Sequence, residues 1–517
     1  MKRDVVPQLR PPPRTASTSD TPLWTNPSTT GTPRAAVGER HVLQQHDAVR
    51  DAAQLQVLLA SRMIVQNQHG RATAGKERAS DTRWQDAAML NQTSSIPMAR
   101  TSMAHGMTPG DIVVAGAGAA GLVAAIFAAS RSPVTVIERT ADGGRKILIS
   151  GGGRCNILPV ALEPDRFVTE SPAHLLRGML RAWPLVAQRE FFERDVGIAL
   201  AVESETRKLF PVSNRARDVR DGLIELARRR GVHFQWETSL TGLVPTAGGW
   251  CIETSRGQMA ASAVVLATGG LSVPKTGSDG MGIELAARLG HVLHDTYPAL
   301  TPLVAVPEAH ASLSGVSLNV RLRAKWRGKS AEASGGFLFT HRGYSGPSVL
   351  DLSHIAVRSR MSGDDPAGPA VLRVAWSAKD AGEWQRELAA SAGHVITILA
   401  RHLPQRLATQ LCAGAGIPLD RRAAELRRRE RATLIDALTA YVLPWVGDEG
   451  YKKAEVTGGG IALDEVNPGT LESRRHAGLF LCGEMLDAFG PIGGHNFAWA
   501  WATGRAAGLG AAAHSAV

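Results

Sequence analysis

A glycine-rich turn near residue 116 has the residue types and spacing that bind a nucleotide. Gly116, Gly118 and Gly121 form a GxGxxG motif directly after the apolar run Ile112–Ala115, and Glu138 follows 22 residues after the first glycine. The first glycine permits a tight turn, the second lets the backbone approach a pyrophosphate, and the third lets the following helix pack on the strand. Glu138 is suited to a ribose and would repel a 2′-phosphate. The motif therefore predicts a dinucleotide site that prefers FAD or NAD over NADP.

A second glycine-rich and basic surface follows Glu138. It comprises Gly143–Lys146 and Ser150–Asn156. Free backbone N–H groups and cations of this kind suit an extended anionic ligand beyond its pyrophosphate, which favours FAD over NAD. The cofactor-binding residues predicted in this half of the chain are Gly116, Gly118, Ala119, Ala120, Gly121, Glu138, Arg139, Gly144, Arg145, Lys146, Ser150, Gly151, Gly152, Arg154, Cys155 and Asn156.

The elements around the first motif form a predicted β–α–β unit. Asp111–Ala115 and Val134–Ile137 have the apolar, β-branched pattern of buried parallel strands, and Leu122–Ser130 between them is a predicted helix. The 18 residues from Ile112 to Ala129 are apolar enough to meet the length threshold of a membrane span. Their glycine turn and the strand that follows favour a strand, turn and helix, so no membrane association is predicted.

The middle of the chain has a different pattern. Leu303–Val306, Val320–Trp326 and Gly336–Thr340 are predicted strands. Helices are predicted from 380 to 445, most clearly over Glu383–Ala392 and Leu419–Val442. A block of strands followed by helices is typical of an inserted domain.

Composition narrows the class of protein. The 517 residues include 58 Lys and Arg against 47 Asp and Glu, a formal net charge of +11. This charge is spread along the chain, so no nucleic-acid partner is predicted from it. The four cysteines lie far apart without a CxxC, so neither a disulfide framework nor a zinc site is predicted, and free thiols predict a cytoplasmic protein. His291 and His294 have helical i,i+3 spacing but no evident third ligand, and no metal is predicted. Residues 1–108, rich in Pro, Ser and Thr, are a predicted disordered extension.

Nine segments together resemble a bacterial family of NAD(P)/FAD-dependent oxidoreductases, whose members are described as aminoacetone oxidase-like or 3-dehydro-bile-acid Δ4,6-reductase-like. The resemblance spans about 111–510 in unbroken order. The segments are GAGAAGL from Gly116, VIE ending at Glu138, GGRKILISGGGRCNI (143–157), TRKLFPVSNRARDV (206–219), VVLATGG (264–270), PKTGSDGMG (274–282), LFTHRGYSGP (338–347), LFLCGEMLD (479–487) and GGHNFAWAW (493–501).

The resemblance implies an α/β fold of the two-dinucleotide-binding, Rossmann-like type. The predicted boundaries are 109–297 and 450–517 for the two parts of an FAD-binding domain and 298–449 for an inserted β-plus-helical domain. Glu484 would bind the ribityl chain, and a helix beginning near Asn496 would direct its N-terminus at the flavin and stabilise negative charge there. The further cofactor-binding residues predicted are Thr268, Gly269, Gly270, Gly483, Glu484, Asp487, Gly493, Gly494, His495 and Asn496.

The implied activity is an FAD-dependent oxidoreductase acting on a small molecule by hydride transfer through flavin N5. Reduction of an activated C=C bond with NAD(P)H, or the reverse dehydrogenation, is the reaction predicted. The candidate proton donors are His341, Tyr344, Lys275 and His495, chosen for their chemistry and their glycine-rich loops. No second GxGxxG with its own strand and acidic residue is present, so nicotinamide would bind transiently. A flavin amine oxidase that uses oxygen, and a flavin-holding protein that modifies or binds RNA, remain alternatives.

Overall fold

The computed structural model describes residues 111–307, 309–363 and 365–516. The predicted disordered extension, 1–108, lies outside these residues. The described part contains twenty strands in five sheets. Numbered in chain order, the strands are β1 Ile112–Ala115, β2 Val134–Ile137, β3 Leu158–Pro159, β4 Leu200–Glu203, β5 Lys208–Pro211, β6 His233–Gln235, β7 Leu240–Thr246, β8 Gly249–Thr254, β9 Gly257–Ala261, β10 Ala263–Leu266, β11 Leu293–Ala299, β12 Leu303–Ala305, β13 Ser317–Trp326, β14 Lys329–Phe339, β15 Gly343–Ser345, β16 Val371–Ala375, β17 Tyr441–Val442, β18 Trp445–Asp448, β19 Val456–Ile461 and β20 Leu479–Leu481.

Twelve α-helices accompany these strands in the described ranges, together with short 3₁₀ and π segments. Numbered in chain order, they are α1 Ala119–Ala128, α2 Arg145–Ile149, α3 Ala173–Arg181, α4 Leu185–Glu190, α5 Ala216–Arg229, α6 Met281–Arg288, α7 Pro347–Met361, α8 Ala381–Ala390, α9 Val395–Leu399, α10 Gln405–Gly414, α11 Arg428–Thr439 and α12 His495–His514.

A five-stranded parallel sheet of order β20-β10-β1-β2-β6 forms the centre of the Rossmann-like part. Every residue of β1 and β10 is buried, as expected for inner strands covered on both faces. The predicted β–α–β unit is confirmed, although its helix begins at Ala119 rather than Leu122 because Gly118 is the N-cap. The apolar stretch Ile112–Ala129 is thus divided between a strand and a helix. Among the described residues, no helix is long and apolar enough to cross a bilayer.

Helices α1 and α12, which are far apart in sequence, pack closely against each other and contact this sheet. A Cβ on Gly504 would lie 2.3 Å from the Ala120 carbonyl oxygen, and a Cβ on Gly508 would lie 2.2 Å from that of Ala124. Side chains at these positions would force α12 away from α1. The small residues therefore hold the chain's final helix against the helix that follows the GxGxxG turn, whose position the nucleotide site depends on.

Three small antiparallel sheets, of order β3-β5-β4, β7-β8-β9 and β11-β19, surround the central sheet. The pair β11-β19 stands where the chain leaves and re-enters the Rossmann-like part. A seven-stranded sheet of order β17-β16-β13-β14-β15-β12-β18 is built entirely from residues between 303 and 448. With α7 to α11 it has a hydrophobic core of its own, including Leu322, Phe339 and Trp384. The additional sheet domain is therefore confirmed, while its boundaries at 298 and 449 stay a prediction.

Two sequence interpretations need correction. The predicted helix Leu419–Val442 is helical only from Arg428 to Thr439. The preceding residues pair with another segment instead, since Ala423 N–H donates to the Gly393 carbonyl at 2.9 Å and Glu430 caps the helix at the Arg427 N–H. The spacing of His291 and His294 is not helical either, because the preceding helix ends at Arg288 and His294 lies on strand β11.

Candidate functional site

A cavity of about 620 Å³ lies at the carboxyl edge of the parallel sheet and brings the two glycine-rich halves of the chain together. That edge is where open α/β sheets bind their ligands. Most of the predicted cofactor-binding residues line it. They are Gly116, Gly118, Ala119, Ala120, Glu138, Arg139, Gly144, Arg145, Lys146, Ser150, Gly151, Gly152, Arg154, Asn156, Thr268, Gly269, Gly483, Glu484, Gly493, Gly494 and Asn496.

The three glycines of the GxGxxG turn serve different purposes. A Cβ on Gly121 would lie 1.8 Å from the Gly116 carbonyl oxygen, so this glycine is required for the turn itself. Gly118 has no atom within 4 Å of an added Cβ and lines the cavity at the start of α1. The space beside it is thus left open in front of the unpaired N–H groups of the first helical turn, an arrangement suited to a phosphate.

Glu138 lines the same cavity and is held firmly by its own chain. One carboxylate oxygen accepts a hydrogen bond from the Ala117 N–H at 2.7 Å. The other accepts from the backbone N–H and the hydroxyl of Thr140 at 2.8 and 2.7 Å. The carboxylate therefore has a defined position beside the GxGxxG turn, and its contact with a ribose stays a prediction.

Glu484 is at the centre of a polar cluster on the cavity wall. Its carboxylate contacts the Lys146 ammonium and the Ser272 hydroxyl, and accepts from the Thr457 N–H and hydroxyl at 3.0 Å each. Lys146 Nζ also donates to Ser272 at 2.6 Å. This cluster joins the turn after β20 to the segment after β2. In the structure the Glu484 carboxylate forms hydrogen bonds and an ion pair with other residues of the protein. Its contact with a ribityl group stays a prediction.

A further part of the cavity forms around Asn156, Lys208, Phe210 and the start of α12. The N-cap Gly494 packs against Leu158 and Asn156, and a Cβ on Gly493 would lie 3.6 Å from the Lys208 side chain. In the described ranges, the buried Asn156 Oδ1 has no hydrogen-bond partner. Thr268 Oγ1, elsewhere on the wall, is also buried and has no hydrogen-bond partner among the residues that the structure describes. These polar atoms, the open space at Gly118 and the cations of the walls fit a long ligand with phosphates and hydrogen-bonding edges, as FAD has.

Five predicted cofactor-binding residues do not line the cavity: Gly121, Cys155, Gly270, Asp487 and His495. Burial raises the pKa of the Cys155 thiol to about 12, so it is an inert packed side chain. Gly270 packs against Thr457. The buried Asp487 carboxylate accepts from the hydroxyls of Thr169 and Ser171 and from the backbone N–H groups of Glu170 and Ser171, so it anchors a loop.

The four candidate proton donors also lie off the cavity lining. Tyr344 is fully buried in the seven-stranded sheet, where its hydroxyl pairs with His310 at 2.8 Å and donates to the Pro444 carbonyl at 3.1 Å. His341 is exposed in the turn before β15, and Lys275 is exposed beside the cavity mouth. His495 is buried against Phe167, and burial lowers the pKa of its imidazole to about 4. The loops containing these residues are glycine-rich, but Tyr344 and His495 are buried in the protein core and Lys275 and His341 are exposed outside the cavity lining.

Sequence reasoning missed several residues that line the cavity, chiefly Lys208, Phe210, Glu455 and Phe489. A signal exists for two of them. Lys208 is the first residue of the otherwise apolar strand Lys208–Pro211, and Glu455 directly precedes the buried, glycine-rich strand Val456–Ile461. A charged residue at the entrance to a buried strand is a candidate for a site at the strand's edge.

The parallel sheet, the glycine turn and the cavity at the sheet's carboxyl edge define a dinucleotide-binding α/β protein. Residues 110–510 match the family described as HI0933-like protein Rossmann domain. The chain belongs to this family of FAD-dependent oxidoreductases, which confirms the predicted family, fold class and enzyme class.

Two relatives align over almost their entire length. The 3-dehydro-bile acid delta(4,6)-reductase of Clostridium scindens is 32% identical over 78% of this chain and 98% of its own. The ribosomal RNA dihydrouridine synthase of Escherichia coli is 29% identical over 76% of this chain and 96% of its own. Among solved structures, 3-ketosteroid-Δ4-(5α)-dehydrogenase from Rhodococcus jostii aligns over 78% of this chain and 96% of its own with 18% identity and a TM-score of 0.42, a similarity too low to inform on activity.

Proposed function

We propose that this protein reduces a carbon–carbon double bond conjugated to a carbonyl group, with FAD as the resident cofactor and NAD(P)H as the electron donor. The observation that carries the proposal is the cavity shared by the two glycine-rich halves of the chain. The start of α1 with Gly118 would bind the pyrophosphate, Glu138 the adenosine ribose, and the segments around Asn156 and Gly494 the ring system. When bound, the flavin supplies hydride chemistry at its N5 atom.

The names of the two relatives support a common reaction type. A Δ4,6-reductase acting on a 3-dehydro bile acid saturates double bonds conjugated to a 3-oxo group. A dihydrouridine synthase saturates the C5=C6 bond of uracil, which is conjugated to the C4 carbonyl. Reduction of a C=C bond conjugated to a carbonyl group in general adds a hydride to the carbon remote from the carbonyl and a proton to the adjacent carbon. This shared chemistry favours conjugated C=C reduction over amine oxidation for the present chain.

Anaerobic reduction of the purified, FAD-loaded protein tests the proposal. We expect NADH or NADPH to bleach the flavin absorbance near 450 nm, and a 3-oxo-Δ4 bile acid or unmodified ribosomal RNA to restore it. The control is the same protein mixed with primary amines in air. Bleaching of the flavin by amines, but by neither NADH nor NADPH, would show that the protein is a flavin amine oxidase instead.

Reduction of uracil in RNA is a second candidate for the same site, favoured by one surface. The outer face of the seven-stranded sheet exposes Arg321, Arg323, Lys325 and Arg373 side by side, and Glu332 pairs with Arg323. A basic sheet face suits a phosphate backbone. Salt-dependent binding of an rRNA fragment that weakens in a variant with Arg321, Arg323 and Arg373 changed to Gln supports this candidate. Equal binding of the rRNA fragment by the variant and the parent would show that this face does not bind RNA.

A further inference from the structure

Two charged side chains that sequence analysis missed face the same cavity from different parts of the fold. Lys208 begins strand β5, and Glu455 directly precedes strand β19. Both line the cavity, in the region where Gly493 and the start of α12 also lie. Their elements belong to different small sheets, so only the tertiary structure brings an ammonium group and a carboxyl group to one wall.

Neither the Lys208 nor the Glu455 side chain has a polar contact to another described residue. Among the described residues, the Glu455 carboxylate and the Lys208 ammonium have neither hydrogen-bond nor ion-pair partners. The backbone of Glu455 is nevertheless anchored on both sides, since its N–H donates to the Leu300 carbonyl at 3.2 Å and its carbonyl accepts from the Ser272 hydroxyl at 3.2 Å. The carboxyl group is therefore held at the cavity and left free to act on a ligand.

The charges that face Glu455 come from two elements, Lys208 on β5 and Asp351 in helix α7. Glu455 is an exposed residue on the cavity lining, yet desolvation by the protein packed around its carboxyl group raises the pKa of that group. Asp351 raises this pKa further, whereas the Lys208 ammonium lowers it. Desolvation outweighs the effect of the Lys208 ammonium, so the Glu455 carboxyl holds its proton at a higher pH than a glutamate surrounded by water does.

Asp351 is a partly buried carboxyl group whose pKa is likewise raised by desolvation, but its oxygens already have partners in the protein. It accepts a hydrogen bond from the Ile492 N–H at 2.7 Å and pairs with Arg166 at 3.2 Å. Those contacts position the loop on which Ile492 and Gly493 line the cavity. The Glu455 carboxyl has no such contacts with the described residues, so of the two carboxyl groups it is the better placed to exchange a proton with a ligand.

We propose that Glu455 is the proton donor of the reduction and that Lys208 donates a hydrogen bond to the substrate's carbonyl oxygen. This inference rests on the proposed function. The hydride, which carries two electrons and originates from NAD(P)H, adds to the remote carbon of the C=C bond. The π pair of that bond moves to the carbon beside the carbonyl and forms a C–H bond with the Glu455 proton. The O–H bond breaks, its electrons remain on the carboxylate, and water later returns the proton. Lys208 stabilises the negative charge that develops on the carbonyl oxygen.

The first test uses the full, FAD-loaded chain carrying Glu455→Gln. We expect unchanged FAD content and unchanged bleaching by NAD(P)H, but reoxidation by a 3-oxo-Δ4 bile acid slowed about 10²- to 10⁴-fold, the usual contribution of a general acid. Glu205→Gln on an exposed turn is the matched control and should reoxidise normally. Reoxidation of Glu455→Gln at the parent rate overturns the inference.

A second measurement does not depend on turnover. Chains labelled with ¹³C at glutamate carboxyl carbons are titrated in the FAD-loaded state, and Glu455→Gln identifies the resonance. We expect its pKa above the usual glutamate value of about 4.3 and higher still in Lys208→Met, with Lys453→Met, an exposed lysine, as control. An ordinary pKa, or no response to Lys208→Met, overturns the inference. If the parent protein reoxidises with neither the bile acid nor rRNA, the proposed function fails, while this titration still decides whether Glu455 holds a proton.

Discussion

The ammonium group of Lys146 contacts the carboxylate of Glu484, a residue 338 positions later in the chain. The two side chains are mostly buried on the cavity wall. The Lys146 ammonium also donates to the Ser272 hydroxyl, and the Glu484 carboxylate also accepts from the Thr457 hydroxyl. This pair joins the glycine-rich segment near the start of the fold to the one near its end. The cavity therefore depends on the folding of the Rossmann-like part as a whole, across the domain inserted between its halves.

Breaking this ion pair should weaken both the apoprotein and its hold on FAD. Glu484→Ala leaves the Lys146 ammonium largely buried without its partner, and we expect a loss of about 3 kcal/mol in the free energy of unfolding. Denaturant melts of the apoprotein and the ratio of flavin to protein absorbance measure the two effects. The control is Glu284→Ala, which removes an exposed helical ion pair with Arg288 and should cost less than about 1 kcal/mol. Equal losses in the two variants would contradict a structural role for the buried pair.

Substitutions at two glycines of the GxGxxG motif should have different effects, one on cofactor binding and the other on stability. Gly118→Val adds a side chain in open space, so the protein should fold with normal stability and be purified colourless because the side chain occupies the cavity. Gly121→Ala places its Cβ 1.8 Å from the Gly116 carbonyl oxygen, so the apoprotein itself should be destabilised by several kcal/mol. Circular dichroism melts separate loss of fold from loss of cofactor. A destabilised Gly118→Val with a stable Gly121→Ala would reverse our assignment of their roles.

The contact between α1 and α12 should make Gly508 intolerant of even a methyl group. Gly508→Ala would place a carbon 2.2 Å from the Ala124 carbonyl oxygen, and we expect a loss of about 1–3 kcal/mol in unfolding free energy. Gly178 in helix α3 has no atom within 4 Å of an added Cβ, so Gly178→Ala should stabilise by about 0.5–1 kcal/mol through helix propensity. Melts of both variants should therefore shift in opposite directions, and a shared direction contradicts the packing argument.

The buried imidazole of His495 should make stability depend on pH below neutrality. Burial lowers its pKa in the folded protein to about 4, while the unfolded chain protonates near 6.5. Between these values the unfolded state binds more protons, so the stability contributed by the neutral ring is present above pH 6.5 and lost as pH falls toward 4.

Removing this titration should flatten the acid side of the stability profile. We expect His495→Leu to lose less stability than the parent between pH 7 and 4.5, by on the order of 2 kcal/mol. His174→Leu, an exposed histidine, should leave the profile unchanged. Buried carboxyl groups such as Asp487, whose pKa is raised, oppose this trend, so the informative quantity is the difference between variant and parent. Parallel profiles would mean that His495 is not neutralised by burial.

The sequence by itself determined those features of this protein that depend on residues close together in the chain. Continuous apolar runs at Ile112–Ala115 and Val134–Ile137, with glycines at fixed offsets and an acidic residue after the second strand, define a β–α–β nucleotide site because each feature acts on its immediate neighbours. The basic, glycine-rich segment 143–156 and a preference for FAD could be predicted for the same reason, whereas the glycine-rich segment 483–496 is predicted through the family resemblance.

Only the tertiary structure decided which side chains reach the cavity. Tyr344 and Asp487 stand in motifs that suggest chemistry, yet strand alternation and loop anchoring turn them to internal hydrogen bonds. Lys208 lies in a segment that carries the family resemblance and Glu455 lies in none, yet the β3-β5-β4 and β11-β19 sheets place both on one wall. The direction of a side chain depends on the packing of elements distant in sequence, which no local pattern encodes.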